Sequence, residues 1–257
     1  MQGRDALWEF ADSAYPTDQL SPSGESSGVQ VRRRRPATAP IDWAMVWRSY
    51  GDLYVRRISE LITAASADIE HELLFCILGG HGVSYELARS AAFRLRQLDV
   101  FAVDWDPQAL QVRVREELNE AQFQPARKNG SLRRYRFPTR KAAHVAAAAS
   151  WVKKRRPLAE LLRGIESEHR RRELMCQCPG VGLKSASWLL RNAGLAENLA
   201  VIDVHVLRAL ASSGRINGVR LPQDYLAIEG KFLDWCSELE APPAAMDLLL
   251  WEWQRAG

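Results

Sequence analysis

The segment Pro179-Gly-Val-Gly182 constrains the fold of this chain most, because it lies between two stretches with a helical pattern. Glycines at alternate positions allow a tight turn with positive φ angles and bring backbone N–H groups close to a ligand. At the start of a helix, such a turn forms an anion site. We predict a helix-hairpin-helix over residues 166–193, in which Gly180, Val181 and Gly182 bind a phosphate. A plain tight turn between packed helices is the alternative for the glycines alone.

Two further residues suggest chemistry beside this turn. Lys184 follows the turn directly, and Asp203 follows the apolar segment Leu199-Ala-Val-Ile202. A solvated lysine gains nothing there, because an ammonium near a helix N-terminus is mildly disfavoured. The position suits an amine that acts as a nucleophile. Asp203 is predicted to cap the next helix, and its carboxylate could also stabilise positive charge that develops on a sugar ring.

Three- and four-residue spacing of apolar side chains predicts an all-α fold. Residues 1–40 are rich in Ser, Gly, Pro and Arg, and we interpret them as a flexible arm before a helical domain over residues 41–257. Asp42 is the expected N-cap of a first helix that reaches Ala64. Further helices are predicted over residues 68–79, 84–97, 107–122, 139–153, 157–176, 183–193, 204–212, 223–238 and 243–254.

The helices are expected to form two helical subdomains with the active-site cleft between them. We place the boundary near residues 138–150 and expect the N-terminal segment of the chain to return and join the C-terminal helices. Val112-Arg-Val-Arg115 alternates, and Asn129-Gly130 is a good turn pair. A short β-hairpin between residues 111 and 137 is therefore an open alternative to helix there.

The composition excludes several classes of protein. The chain has 257 residues, 47% of them hydrophobic, which is enough for a sizeable core. The longest apolar run is too short to cross a bilayer, and the N-terminus lacks the apolar core of a signal peptide. We expect a cytoplasmic monomer with no membrane partner. No metal is expected, because the cysteines lack metal-site spacing and are interpreted as reduced thiols. They are Cys76, Cys176, Cys178 and Cys236.

Basic residues cluster, although the formal net charge is only +4. Any one cluster alone is typical of a solvated helix face. Three clusters around a phosphate-binding hairpin favour a polyanion as partner, and Arg140 and Lys141 are predicted to bind phosphates. The clusters comprise Arg32 to Arg35; then Arg127, Lys128, Arg133, Arg134, Arg136, Arg140 and Lys141; and finally Lys153 to Arg156 with Arg170 to Arg172.

Two motifs carry a resemblance to a known family. Pro179 to Lys184 and Val201 to Arg208 resemble the helix-hairpin-helix glycine-proline-aspartate (HhH-GPD) DNA glycosylases. Within them, a lysine at position 184 is the mark of the bifunctional glycosylase/lyase branch. Phe137 to Ala142 resembles the 8-oxoguanine glycosylases, and Met246 to Trp253 resembles their compact archaeal type. The resemblance implies excision of 8-oxoguanine from double-stranded DNA.

The resemblance also implies a role for each residue of the two motifs. Lys184 would attack C1′ of the sugar and form a Schiff base, and Asp203 would assist the attack and the departure of the base. β-Elimination would then nick the strand. His205 and Arg208 would contact the DNA backbone or orient Asp203. No cofactor is implied, because the four-cysteine cluster of the iron–sulfur glycosylases is absent after the hairpin.

Chemistry on a base in duplex DNA requires extrusion of the base into a pocket. Trp188 lies one helical turn after Lys184 and is predicted to stack on that base. Asp247 and Trp251, also one turn apart, resemble a pocket pair of the archaeal type, in which the carboxylate accepts a hydrogen bond and the ring stacks. Core packing is the alternative for both tryptophans.

The predicted helix near residues 70–80 ends in Gly79-Gly-His-Gly82, where the family usually carries Gln or Asn. A glycine C-cap explains one glycine but not three. The glycines predict open volume, and Gly79, Gly80 and His81 are assigned to the base pocket. One alternative is therefore excision of a bulkier base, such as glucosylated hydroxymethylcytosine in phage DNA, as antiviral defence. Another is a noncatalytic helix-hairpin-helix module, which would need neither Lys184 nor Asp203.

Overall fold

A computed structural model describes residues 41–66, 68–80, 82–101, 104–217, 221 and 223–256. The arm predicted over residues 1–40 lies outside the described residues. Within them the fold is all-α, as predicted, and contains no β-strand. The helices are α1 (Trp43–Ser66), α2 (Ile69–Leu78), α3 (Tyr85–Arg96), α4 (Pro107–Asn119), α5 (Pro138–Lys153), α6 (Leu158–Arg163), α7 (Glu168–Cys176), α8 (Leu183–Asn192), α9 (Val204–Ser212), α10 (Tyr225–Glu238) and α11 (Pro243–Ala256).

The chain divides into two compact units. The hairpin unit comprises residues 65–199, and the terminal unit comprises the described parts of residues 1–64 and 200–257. The part of the N-terminal segment that the structure describes, α1 up to residue 64, belongs with the C-terminal helices to the terminal unit, in line with the expectation. The boundary predicted near residues 138–150 is wrong. Those residues lie inside α5, an unbroken helix whose apolar face is part of the core of the hairpin unit.

The terminal unit joins α1 to helices from the C-terminal end of the chain. The indole nitrogen of Trp43 donates to Ser212 Oγ at 3.4 Å. Further along α1, the Tyr54 hydroxyl donates to Glu252 Oε2 at 2.9 Å. Glu252 also forms an ion pair with Arg57. Both α9 and α10 pack on α11. Polar contacts at the start and middle of α1 therefore fix it against α9 and α11.

The hairpin unit is built around α2. Helices α3, α5, α6 and α8 all contact it. Its second half, residues 73–78, is entirely apolar, and Leu73, Leu74, Ile77 and Leu78 are at most 1% exposed. A helix that is hydrophobic all round is stable only when other elements cover all of its faces. The end of α2 is consequently held in the interior of this unit.

Two predicted elements differ from the observed ones. The helix predicted over residues 157–176 is two helices, because Gly164 ends α6 and Ser167 caps α7 through a hydrogen bond from the Arg170 N–H. Val112 to Arg115 lies inside α4, whose first turn is fixed by the N-cap Asp106 and by Pro107. Helix is therefore observed there, and only an isolated bridge between Phe123 and Arg133 remains of the alternative β-hairpin.

Candidate active site

A helix-hairpin-helix formed by α7, residues 177–182 and α8 occupies the predicted position. Its turn is closed by backbone hydrogen bonds, from Cys178 N to Met175 O at 3.0 Å and from Val181 N to Cys178 O at 3.1 Å. Gly180 has φ +84°. Gly182 has φ −109° and ψ −177°, which is extended backbone open to any residue. The two glycines therefore differ, since only Gly180 uses the left-handed region.

His144 of α5 supports the hairpin and was not predicted. A Cβ atom built on Gly180 would lie 2.8 Å from the His144 Cβ, so the turn passes directly over this side chain. The Nδ1 atom of His144 is buried and has no hydrogen-bond partner within the described residues. Burial lowers the pKa of His144, with further lowering from Lys141 and Arg140. No local sequence signal connects His144 with a glycine so far along the chain.

The N-terminus of α8 is open. Gly182 is its N-cap, no side chain caps the helix, and its first turn contains no acidic residue. A Cβ built on Gly182 would have no atom within 4 Å. The amides of a helix N-terminus attract anions when no side chain satisfies them. This end of α8 can therefore accept a phosphate group.

Lys184 lies in this first turn, beside Trp188. The side chain is half-buried, and its Nζ atom is 5.7 Å from the centroid of the Trp188 ring. In the described part of the chain, it makes no ion pair. Trp188 also packs edge-on against Phe75, with ring centroids 5.1 Å apart. A Cβ on Gly79 would lie 3.5 Å from Cζ3 of Trp188. The hairpin unit thus brings Lys184 and Gly79 to the same tryptophan, Trp188.

The other glycines after α2 do not share one environment. Gly80 is exposed, has φ +116°, and would leave a Cβ without any atom within 4 Å. At Gly82, by contrast, a Cβ would lie 2.6 Å from Nη1 of Arg136, so the open volume predicted there is absent. Arg136 occupies that space because it donates to the Gly82 carbonyl at 2.8 Å. His81 lies outside the described residues.

In the terminal unit, Asp203 caps α9. Its Oδ1 atom accepts hydrogen bonds from His205 N at 2.7 Å and from Val206 N at 3.0 Å. The segment before it is held by Tyr225, whose hydroxyl donates to Ala200 O at 2.8 Å. Glu229 accepts from the Ala200 N–H at 2.9 Å. One carboxylate oxygen of Asp203 is thus occupied by the cap, and the second is left for other interactions.

The remaining predicted residues of this unit differ in exposure. Arg208 is exposed, and His205 is half-buried, with a pKa that burial lowers. Asp247 is only 4% exposed. Trp251 is half-buried, and the guanidinium of Arg255, which was not predicted, lies 4.2 Å from its ring centroid. The predicted site residues are therefore divided between the two units, and the position of the base pocket stays a prediction.

Lys141 is not a surface cation, contrary to expectation. It is 8% exposed, and its ammonium donates to the carbonyl of Gly79 at 2.8 Å and to that of Ile77. Burial and, to a lesser extent, the nearby charge of Arg140 together lower its pKa to about 8. An ammonium directed at interior carbonyls is not available to a ligand at the surface. The adjacent Arg140 is exposed, with its guanidinium 4.8 Å from the Phe137 ring centroid.

Neither a metal site nor a membrane-spanning helix is present among the described residues. No group of three or more His, Cys, Asp or Glu side chains is arranged to hold a metal ion within the ranges given above. Nor does any helix in those ranges have both the length and the apolar character needed to cross a membrane. Cys76, Cys176, Cys178 and Cys236 are unpaired.

The fold and the hairpin define a helix-hairpin-helix protein, and comparison with known proteins gives its family. Residues 55–241 match the family model Ogg-HhH, described as 8-oxoguanine DNA glycosylase. The chain belongs to this family, which confirms the resemblance found in the sequence.

Similar sequences include an 8-oxoguanine DNA glycosylase/AP lyase of Metallosphaera sedula, 32% identical over 117 residues, which are 46% of this chain and 57% of the relative. One of Fusobacterium nucleatum is 43% identical over 75 residues, which are 28% of this chain and 35% of the relative. The chain thus spans about half the length, or less, of these relatives.

A solved structure has a similar fold. It is the Methanocaldococcus jannaschii 8-oxoguanine glycosylase/lyase in complex with 15mer DNA containing 8-oxoguanine. The TM-score is 0.62 at 21% identity, and the match covers 84% of this chain and 96% of that chain. At this level of identity the likeness concerns the fold.

Proposed function

We propose that this chain is a DNA glycosylase with AP-lyase activity that extrudes a modified base from double-stranded DNA and cleaves its N-glycosidic bond. The preferred substrate is 8-oxoguanine. The observation that carries the proposal is the position of Lys184, half-buried in the first turn of α8, without an ion pair among the described residues and next to Trp188. The family match and the names of the relatives support it.

The hairpin would bind the phosphate backbone of the DNA. A phosphate at the open N-terminus of α8 would meet backbone amides and the positive end of the helix dipole. These contacts do not depend on base sequence, so they position the strand without selecting it. Arg208 and Arg140 are exposed and can add charge-assisted contacts to neighbouring phosphates. His205 stays a predicted contact of the DNA backbone.

Lys184 acts as the nucleophile. Its neutral amine attacks C1′, and the bond from C1′ to the base breaks with its electron pair leaving on the base, which takes up a proton. The nitrogen loses one proton, and the C1′–O4′ bond then breaks as the sugar ring opens, with O4′ taking up a proton, to give a protonated Schiff base. Removal of a proton from C2′ then expels the 3′ phosphate, which cuts the strand. These steps need no cofactor.

Asp203 provides the carboxylate. The second oxygen, which does not serve the cap of α9, would stabilise positive charge on the sugar as the base departs. Trp188 would stack on the extruded base, and Asp247 and Trp251 stay predicted contacts of that base. Action as a monomer in the cytoplasm also stays a prediction.

Borohydride trapping tests the nucleophile. The protein is incubated with duplexes that contain 8-oxoguanine, uracil or glucosylated hydroxymethylcytosine, and a covalent complex is sought. We expect trapping on 8-oxoguanine, its loss in Lys184→Gln, and normal trapping in Lys231→Gln, which removes an exposed lysine of α10. Trapping only on the glucosylated base would support the defence alternative. If no duplex is trapped or loses its base while DNA still binds, the chain is a noncatalytic module.

The variant Asp203→Asn distinguishes the helix-capping role of Asp203 from its proposed role in the reaction. Asparagine caps helices as well as aspartate, so the free energy of unfolding should change by less than about 1 kcal/mol. Removing the charge should lower the single-turnover excision rate by roughly 100-fold. Asp106→Asn is the matched control, because Asp106 caps α4 by accepting from the N–H groups of Gln108 and Ala109. Equal rates in both variants would remove Asp203 from the chemistry.

A further inference from the structure

Side chains from residues 135–141 bind the carbonyl groups at the end of α2. Lys141 donates to Ile77 O and, at 2.8 Å, to Gly79 O. The Tyr135 hydroxyl donates to Leu78 O between them. The last carbonyls of a helix have no partner within the helix. Three consecutive carbonyls at this end are therefore satisfied by two side chains that lie far along the chain.

This arrangement replaces the usual glycine cap. Gly79 has φ −66° and ψ −175°, which is not the left-handed conformation that normally ends a helix at glycine. Its N–H donates to Phe75 O at 2.8 Å. Lys141 has no carboxylate partner among the described residues, so the negative end of the α2 dipole and the carbonyls are what balances its charge. Removing a buried partner of this kind leaves unsatisfied carbonyls, which is strongly unfavourable.

The end of α2, where these three carbonyls are bound, lies next to the candidate site of the hairpin unit. Gly79 lies against Trp188, whose ring is next to Lys184. Phe75, one turn before the end of α2, packs edge-on against the same ring. Gly80 follows with an exposed backbone. A shift of Gly79 would therefore move the surface beside Trp188 without moving Lys184, which belongs to α8.

We propose that Lys141 is a positioning residue for base recognition: its ammonium fixes the Gly79–Gly80 backbone as the wall against which Trp188 receives the extruded base. The inference rests on the proposed function, because it assumes that a base enters beside Trp188. Because its ammonium is bound to the carbonyls of Ile77 and Gly79, Lys141 would touch neither the sugar nor a phosphate. Its contribution should therefore appear in reactions that require the base and disappear in reactions that do not.

Two substrates separate these cases. One duplex contains 8-oxoguanine, and the other contains a preformed abasic site, which Lys184 can cleave without a base in the pocket. Lys141→Met keeps the length of the side chain but cannot donate. We expect it to lower the excision rate about tenfold or more, since small misplacements of a substrate are costly. Cleavage of the abasic site should stay within about twofold of the parent rate, and Lys141→Arg should restore part of the excision.

Hydrogen exchange of the backbone amides provides a readout independent of activity. Lys141→Met should speed exchange in a peptide covering residues 79–83 and leave residues 183–192 of α8 unchanged. If Lys141→Met does not fold, Tyr135→Phe, which removes only the donor to Leu78 O, serves in its place. Unchanged exchange at residues 79–83, or an equal loss of both reactions, would overturn the inference. A parent protein that processes neither duplex would instead refute the proposed function.

Discussion

The two glycine segments of the hairpin unit have similar sequences but opposite electrostatic roles. Gly79 to Gly82 follows the C-terminus of α2, which presents carbonyl oxygens, whereas Gly180 to Gly182 precedes the N-terminus of α8, which presents amides. The first segment is closed by cations, because Lys141 and Arg136 bind its carbonyls. The second has no side-chain cap. A Gly-x-Gly pattern alone therefore does not distinguish a structural turn from an anion site.

What distinguishes the segments is the polarity of the adjoining helix end and the side chains available to satisfy it. Carbonyl groups at a helix C-terminus bind Lys and Arg side chains of the same chain, and those cations are then not available to an external anion. Amides without an acidic neighbour keep their positive potential for a ligand. The basic residues of the segment 127–141 are thus of two kinds in this unit. Some stabilise the end of α2, and only the exposed ones remain for the proposed contacts with DNA.

The largest effect is expected at Gly180. Gly180→Ala forces a non-glycine residue to φ +84° and places its Cβ 2.8 Å from the His144 Cβ. Left-handed strain and overpacking together should lower the free energy of unfolding by about 4 kcal/mol. Gly80→Ala has the strain of φ +116° but no neighbouring atom within 4 Å, so it should lose about 2 kcal/mol. Urea unfolding measures both values.

Two controls test this reasoning. In a His144→Gly background, Gly180→Ala should become less destabilising by about 1–2 kcal/mol, because the Cβ, Cγ and Nδ1 atoms that the new methyl group would meet are all absent. Gly182→Ala should cost only about 1 kcal/mol or less, since Gly182 has extended backbone and free space and the substitution only weakens the N-cap. It should nevertheless weaken binding to undamaged DNA, because a methyl group then lies at the open helix end. Equal penalties for Gly180→Ala in both backgrounds would exclude the steric explanation.

Features with a local sequence signal were predicted well. Asp42 accepts from the Met45 N–H at 3.0 Å, and Asp203 caps α9, both as expected from residues next to a helical pattern. The features that were missed depend on contacts between distant residues. Lys141 binds the carbonyls of Ile77 and Gly79, which lie 64 and 62 positions earlier in the sequence. The periodicity of apolar residues gives no information on such a contact. Arg136 beside Gly82 and His144 under Gly180 were missed for the same reason.

A buried hydrogen bond connects α2 and α8, the two helices that adjoin the glycine segments. Glu72 of α2 accepts from Asn192 Nδ2 of α8 at 2.6 Å, and it is 4% exposed. Burial raises the pKa of Glu72 to about 7, although Asn192 and Arg191 lower it. The folded protein therefore retains this proton at pH values where the unfolded chain, with a carboxyl pKa near 4.5, has already released it.

The stability contributed by this proton is complete below about pH 4.5 and is lost as the pH rises through about 7. Between pH 4 and pH 8 the parent protein should lose about 3 kcal/mol relative to Glu72→Gln, which stays neutral. Urea unfolding at several pH values measures this difference. Glu70→Gln is the control, because Glu70 makes a peripheral ion pair with Arg156, worth about 1 kcal/mol or less. A constant difference between the parent and Glu72→Gln would show that Glu72 does not ionise in this range.

The smallest expected effect is a difference in the salt dependence of DNA binding between variants of two adjacent cations of α5. Arg140 is exposed, whereas the ammonium of Lys141 is bound to carbonyls. If Arg140 contacts a phosphate, Arg140→Gln removes one counterion-release event, and the slope of log K against log salt concentration should become less negative by about 0.9. Lys141→Met should leave this slope unchanged even where it impairs excision. Fluorescence anisotropy on undamaged duplex at several salt concentrations gives both slopes. A reduced slope in Lys141→Met would mean that its charge reaches DNA despite burial, and the contrast between cations bound to carbonyls and cations available to phosphate would then fail.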